Sequence, residues 1–225
     1  MPPRSRTASR ATARPRLSLR EPRNLTEVAD PHLLDGDRRE GESYERLALD
    51  GEDLAGITFQ ECLLLGASFD DTELRGARFA ECFVEDLFAP VFRAARSSWQ
   101  ETLLRSTRWG SAELYDSRLD SVHLDGGKLD HVNLRAGTLT DVLFTGCIIG
   151  ELDLTGAKAT RVALQECTVG TLTLDGAVLK DADLRTSSFR RINGFDGLRG
   201  ATIDEDQLQL LAPFLAEGMG LRVEG

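Results

Sequence analysis

Residues 119–143 read LDSVHLDGGKLDHVNLRAGTLTDVL. Leu119, Leu124, Leu129, Leu134 and Leu139 recur at every fifth residue while everything between them changes. A helix places its apolar residues at a period of 3.6 and a half-buried strand at 2, so a period of five specifies neither. Followed outward from this stretch, the frame holds at 28 successive positions from Leu54 to Phe189 without insertion. Fifteen of these are Leu, five are Phe and two are the only tryptophans, Trp99 and Trp109. Val84, Ile149 and Val169 continue the apolar series, and only Ala89, Ala94 and Ala159 are small.

A second column stands two residues before each centre. It holds small or β-branched residues such as Ile57, Ala67, Thr72, Ser97, Thr102, Val122, Gly127 and Val162, which suit a narrow interior. All four cysteines, Cys62, Cys82, Cys147 and Cys167, fall in it. The spacing predicts that they pack as small hydrophobes and stack in pairs 20 residues apart, without metal or disulfide chemistry. One segment departs from the pattern. FAPVFRAARSS, residues 88–98, keeps the length but puts Ala89 and Ala94 at the centres and Leu87 and Phe92 at the small positions, with Pro90 between. Because Pro cannot donate to a strand ladder, a bulge or a swapped inward pair is expected across 85–98.

The segments GASFD, GARFA, HVNLR and DADLR resemble the pentapeptide repeat family, whose motif is A(D/N)LXX. The resemblance covers residues 54–189 and extends toward Leu49 and LRGATI at 198–203. It implies an all-β solenoid, a right-handed quadrilateral β-helix with four pentapeptides per turn and each central residue on the axis. One five-residue side cannot bury its apolar group alone, whereas stacked turns bury a continuous column. Twenty-eight repeats make about seven coils, ~34 Å at the ~4.8 Å spacing of neighbouring strands. The expected organisation is a basic disordered arm over 1–23, a lead-in and cap over 24–50, the β-helix over 51–203, and a helical cap and tail over 204–225. Asp204 and Gln207 form a capping-box pair ahead of Leu208, Leu211, Phe214 and Leu215 at helical spacing. Pro213 is expected to kink or break that helix. The resemblance also makes this end a candidate homodimer contact.

Charge is split along the chain. Residues 1–20 carry six arginines and no acid, while the other 205 residues hold 21 basic and all 37 acidic groups, a net of −16. The body therefore repels nucleic acid and attracts basic partners. The arm either folds back on that body or makes at most weak, nonspecific contact with nucleic acid; a transit peptide is the alternative. No apolar run approaches the ~18 residues of a membrane span, and no secretory signal is visible, so a cytoplasmic protein is expected.

With 20 residues per turn, positions 20 apart stack on one side. One side carries Asp53, Glu73, Glu113 and Asp153, interrupted by Arg93 and Asn133. Another carries Glu61, Glu81, Glu101, Asp141 and Asp181, interrupted by Ser121 and Arg161. Like charges so close cost stability, which leaves two readings: a solvated surface relieved by nearby arginines, or a cylinder that imitates duplex DNA. A third side reads Leu63, Phe83, Leu103, His123, Leu143, Ala163, Asp183, an apolar stripe of the kind that marks contacts. Its cover is either residues 24–50 or a partner.

No catalytic residue, metal ligand set or cofactor motif is predicted. His32, His123 and His131 form no paired ligand spacing, and GGK at 126–128 lacks both the first Gly and the Ser/Thr of a phosphate-binding loop. The expected function is therefore a non-enzymatic protein-interaction or scaffold module. Some bacterial members of the family it resembles protect DNA gyrase and topoisomerase IV from antibiotics by imitating DNA, which makes that the most concrete version. An adaptor binding a protein through the apolar stripe is the alternative.

Overall fold

The computed structural model describes residues 11–29, 31–218 and 220–223. Among the described residues nineteen strands, of 2 to 16 residues, form one all-parallel sheet wound into a solenoid of about nine turns, closed by one α-helix, α1, Glu205–Gly218. The register is 20 residues throughout the body: Phe59 pairs with Phe79, Phe79 with Trp99, Trp99 with Leu119, and on to Leu139, Ala159 and Leu179. At ~4.8 Å per turn, nine turns make a rod of ~43 Å.

Both inward columns behave as their residue types require. The centres Leu54, Phe69, Leu74, Leu129 and Phe144 are buried, as are Ile57, Cys62, Ala77, Val122 and Ala157 two residues before. At Thr72 and Thr102 the second-column hydroxyl donates to a carbonyl 23 residues earlier. Thr72 Oγ1 reaches Leu49 O at 2.6 Å, and Thr102 Oγ1 reaches Phe79 O at 3.3 Å. The four cysteines are free and buried, and Cys82 Sγ makes the same kind of contact to Phe59 O at 3.3 Å. Thr72, Cys82 and Thr102 are thus satisfied by carbonyls of centre residues in the preceding turn, whereas Thr107 Oγ1 and Trp109 Nε1 are buried without a partner among the described residues.

Two expectations about the rod are corrected. It has about nine turns in place of seven, because the frame continues back through the segment expected to be a lead-in. Arg38–Glu40 pairs with Thr58–Gln60, and Ser43–Glu45 pairs with Leu63–Leu65. Tyr44 and Leu49 are buried centres. The frame is disguised at Arg39, a charged residue in a central position, which donates from its guanidinium to His32 O at 2.6 Å and to Asp37 at 3.1 Å. At the other end α1 runs through Pro213 without interruption. Proline's fixed φ is itself helical, so the helix continues at the loss of one internal hydrogen bond.

Segment 85–98 holds its register without a bulge. Ala89 pairs with Trp109, and Phe92 pairs with both Thr72 and Ala112. The swap of large and small residues is what occurs: Leu87 and Phe92 fill the space left by Ala89 and Ala94, and all four are buried. Phe92 then stacks on Trp109, with centroids 4.9 Å apart and planes 9° from parallel. It thereby joins an axial aromatic series that begins with Tyr44, Phe59, Phe79 and Trp99.

Candidate interaction surfaces

The corners of the square turns dictate what the acidic sides look like. Along three of the four corner lines the residue two past each centre takes a left-handed conformation, in which a Cβ is disfavoured and Gly is least strained. Along one corner column these residues are Glu61, Glu81, Glu101, Ser121, Asp141, Arg161 and Asp181, with φ between 47° and 56°. These seven positions hold no glycine, although the same line begins one turn earlier at Gly41, φ 65°. The other two left-handed columns include Gly66, Gly126 and Gly146, and Gly56, Gly76, Gly156 and Gly176, while the fourth line is left-handed only at Gly51 and Asp71. Carboxylates are therefore carried where the backbone favours no side chain at all.

The column is not uniform along its length. Asp141 is buried, and Arg161 grips it with two bonds of 2.6 Å. That guanidinium holds the Asp141 carboxyl below the usual carboxylate range; burial opposes the shift and the Arg16 N–H supports it. Among the described residues Glu61, Glu81 and Glu101 have no ion-pair partner. The other predicted ladder, Asp53, Glu73, Glu113 and Asp153, is in vertical register through Arg93 and Asn133. Arg93 turns aside to Asp71 at 2.6 Å. Asp153 is buried beside Thr155 and Arg135; burial works against its ionisation, but those donors outweigh it and its carboxyl titrates low.

The arm accounts for much of what the sequence leaves open. Arg4, Arg6 and Arg10 lie outside the described residues. From Ala11 to Ala29 the chain follows the rod surface instead of standing free, crossing the turns along the Glu61–Asp181 column. Ala13 N donates to Asp181 Oδ1 at 3.2 Å, Arg16 N to Asp141 Oδ1 at 2.8 Å and Ser18 N to Ser121 Oγ at 2.7 Å. Thr12 and Thr202 hydroxyls hydrogen-bond at the far end, and Thr26–Glu27 pairs as a short parallel strand with Glu42–Ser43. Between these anchors Leu19–Asn24 stand off the rod, leaving a cleft of about 700 Å³ over Glu61 and Glu81.

The apolar stripe lies immediately beside this path. Leu63, Phe83 and Leu143 are half-buried, and Leu103 is buried. Leu103 and Ala163 are buried but lie outside the axial core cluster, so they are covered from the outer surface. His123, half-buried in the same column, contacts Thr145 Oγ1 at 3.0 Å, and burial pushes its pKa down. Asp183 ends the column buried against Arg185, which lowers its pKa. Of the helix residues, Leu211 is buried and Leu215 packs on the core, whereas Leu208 and Phe214 face outward with Leu210, which is 70% exposed. Among the described residues no helix is long and apolar enough to cross a membrane.

Most of this surface chemistry is readable from spacing alone. The arm's path is not, although its sequence carries a signal. Ala13, Pro15, Leu17 and Leu19 are half-buried, while Arg14, Arg16, Ser18 and Arg20 are exposed, a strand-like alternation.

Geometry of this kind defines a class: a four-sided β-solenoid, five residues to a side, whose working surfaces are its corners and faces. The family profile described as pentapeptide repeats matches residues 53–85 in 8 copies. Residues 53–85 are pentapeptide repeats, and the turns on either side continue the same five-residue frame in register. Solved structures similar to it include full-length QnrB1, a plasmid-mediated fluoroquinolone resistance protein, at 18% identity and a TM-score of 0.42 over 84% of this chain and 94% of that one. A trypsin-treated variant of QnrB1 gives 19% and 0.41 over 88% and 97%. HetL, a pentapeptide repeat protein involved in heterocyst differentiation regulation from the cyanobacterium Nostoc sp. strain PCC 7120, gives 21% and 0.36 over 69% and 73%. No curated protein matches the sequence.

Proposed function

We propose that this protein is a non-catalytic interaction module whose acidic rod receives a basic partner surface, in its most concrete form as a DNA mimic acting on a type II topoisomerase such as DNA gyrase. The carrying observation is the corner column that keeps Glu61, Glu81, Glu101, Asp141 and Asp181 in left-handed backbone where glycine is cheaper. Left-handed conformations kept by side-chain-bearing residues at the seven successive positions after Gly41 point to a role for their side chains. Three carboxylates on successive turns, Glu61, Glu81 and Glu101, at ~4.8 Å steps attract a groove built to hold phosphates.

The test is a gyrase supercoiling assay with the full chain, with and without a quinolone. Inhibition or drug relief is expected, and Glu61→Lys/Glu81→Lys/Glu101→Lys should abolish it with the far-UV circular dichroism unchanged. No effect of the wild-type chain at micromolar concentration would sink the topoisomerase version.

One further contact is favoured by a specific observation. Leu210 and Phe214, one helical turn apart, expose an apolar patch on α1 at the end of the rod, and such a patch marks an interface. We assign it to a second copy of the chain, joined cap to cap. Sedimentation velocity should show a dimer that Leu210→Glu/Phe214→Glu converts to monomer; a wild-type monomer at high micromolar concentration would exclude it.

A further inference from the structure

The acidic corner column already has an occupant, and its geometry is that of a bound peptide. From Ala13 at Asp181 to Arg16 at Asp141, three residues cross two turns. Two turns are ~9.6 Å, close to the reach of three fully extended residues. Over this stretch the segment donates main-chain N–H groups to side-chain oxygens of the column, at Asp181, Asp141 and Ser121. Its small and apolar residues, Ala13, Pro15, Leu17 and Leu19, are half-buried, and Leu103 and Ala163 of the neighbouring column are buried. Its arginines stay exposed, with Arg16 close enough to Asp141 and Arg14 to Asp183 to favour their ionised forms.

Recognition through main-chain donors is tolerant of sequence; only extended shape, a small or apolar inner face and positive charge are required. The fit also loosens along the path. From Ser18 to Thr26, eight residues cross four turns, ~19 Å or about 2.4 Å per residue, so this half is slack. The cleft over Glu61 and Glu81 lies there. A competitor can therefore enter at Glu61 and Glu81 without first breaking the contacts at Asp141 and Asp181.

We infer that residues 12–24 are a self-ligand of the acidic face, an extended arginine-bearing strap in the groove that a basic partner strand would take, so that the face is masked until the strap is displaced. The identity of the masked activity rests on the proposed function; the strap and its groove do not. Occupancy in cis gives the strap a high effective concentration, so a partner must bind more tightly than the free arm would suggest.

The experiment uses the full chain. In the wild type, amide hydrogen exchange at Arg16 and Ser18 should be at least tenfold slower than in a synthetic peptide of residues 11–29. In the full chain carrying Arg14→Glu, Arg16→Glu, Arg20→Glu and Arg23→Glu, the strap is repelled by the column. A fluorescein-labelled wild-type 11–29 peptide should then bind at least tenfold more tightly than to the wild-type chain, and adding Asp141→Lys should remove that gain. Equal peptide binding to the two chains, or free-peptide exchange rates at Arg16 and Ser18, would overturn the inference. The same charge-reversed chain in the supercoiling assay separates the two ideas. Peptide capture without any effect on gyrase keeps the strap and removes the topoisomerase reading; a stronger gyrase effect without peptide capture removes the strap.

Discussion

Replacing Phe79 with Ala should destabilise the rod by ~3–5 kcal/mol, the usual cost of deleting a buried aromatic ring. Phe79 lies fully inside, between Trp99, stacked at 4.0 Å and 5° from parallel, and Phe59, at 5.3 Å and 19°. Each such pair adds ~0.5–1.5 kcal/mol beyond area burial. The void cannot close by sliding its neighbours together. Ladder bonds hold Phe59, Phe79 and Trp99 at the fixed spacing of successive turns, so the cost should fall at the upper end of the range. Because each turn touches only its neighbours, the loss should be regional. Hydrogen exchange should rise around 58–60, 78–80 and 98–100 and stay unchanged at 158–173. A shift below ~1 kcal/mol in denaturant unfolding, or a uniform rise in exchange, would show that the aromatic series is not what holds this half together.

Gln207→Leu should release the C-terminal cap. Gln207 is buried, and its Nε2 donates to Leu184 O and Ser187 O, both at 2.6 Å, the carbonyls of the last turns. Its Oε1 accepts from Asp204 N at 3.0 Å while its own N donates to Asp204 Oδ1 at 2.8 Å, a reciprocal capping box. Leucine keeps the volume but strands two buried acceptors and one donor, at ~1–3 kcal/mol each. The expected outcome is detachment of α1, seen as rapid proteolysis after residue 204 and faster exchange at 184–190, with the body near Phe79 unaffected. Asp204→Ala should cost only ~1 kcal/mol, since one helix N–H loses its cap while the carbonyl contacts remain. If Gln207→Leu leaves proteolysis unchanged, Leu211 and Leu215 alone seal the rod.

The solenoid and its contents were legible because the period-five code is local. Leu119 and Leu139 need only the turn beside them, and a register of 20 follows once four sides close. The swap at Leu87, Ala89, Phe92 and Ala94 was visible as an inversion of size, and the capping box as a residue pair. Arg39 hid the first turns, since a charged centre breaks an apolar count although its guanidinium finds acceptors at His32 and Asp37. Pro213 misled in the other direction, because the rule against proline weighs one hydrogen bond and the helix holds to the rod by other residues.

Which residues stack on each corner was likewise fixed by counting alone: Glu61, Glu81, Glu101, Asp141 and Asp181 share one line in any chain with this frame. What tertiary structure alone decided is how open that line is. Arg161 neutralises Asp141, the backbone of Ala13, Arg16 and Ser18 comes to rest on the column, and Leu103 passes from apparent surface to buried. The arm's contacts join residues more than 100 positions apart and obey no period. Repetition writes the rod into the sequence, but the single, nonrepeating crossing of the arm has no second copy to reveal it.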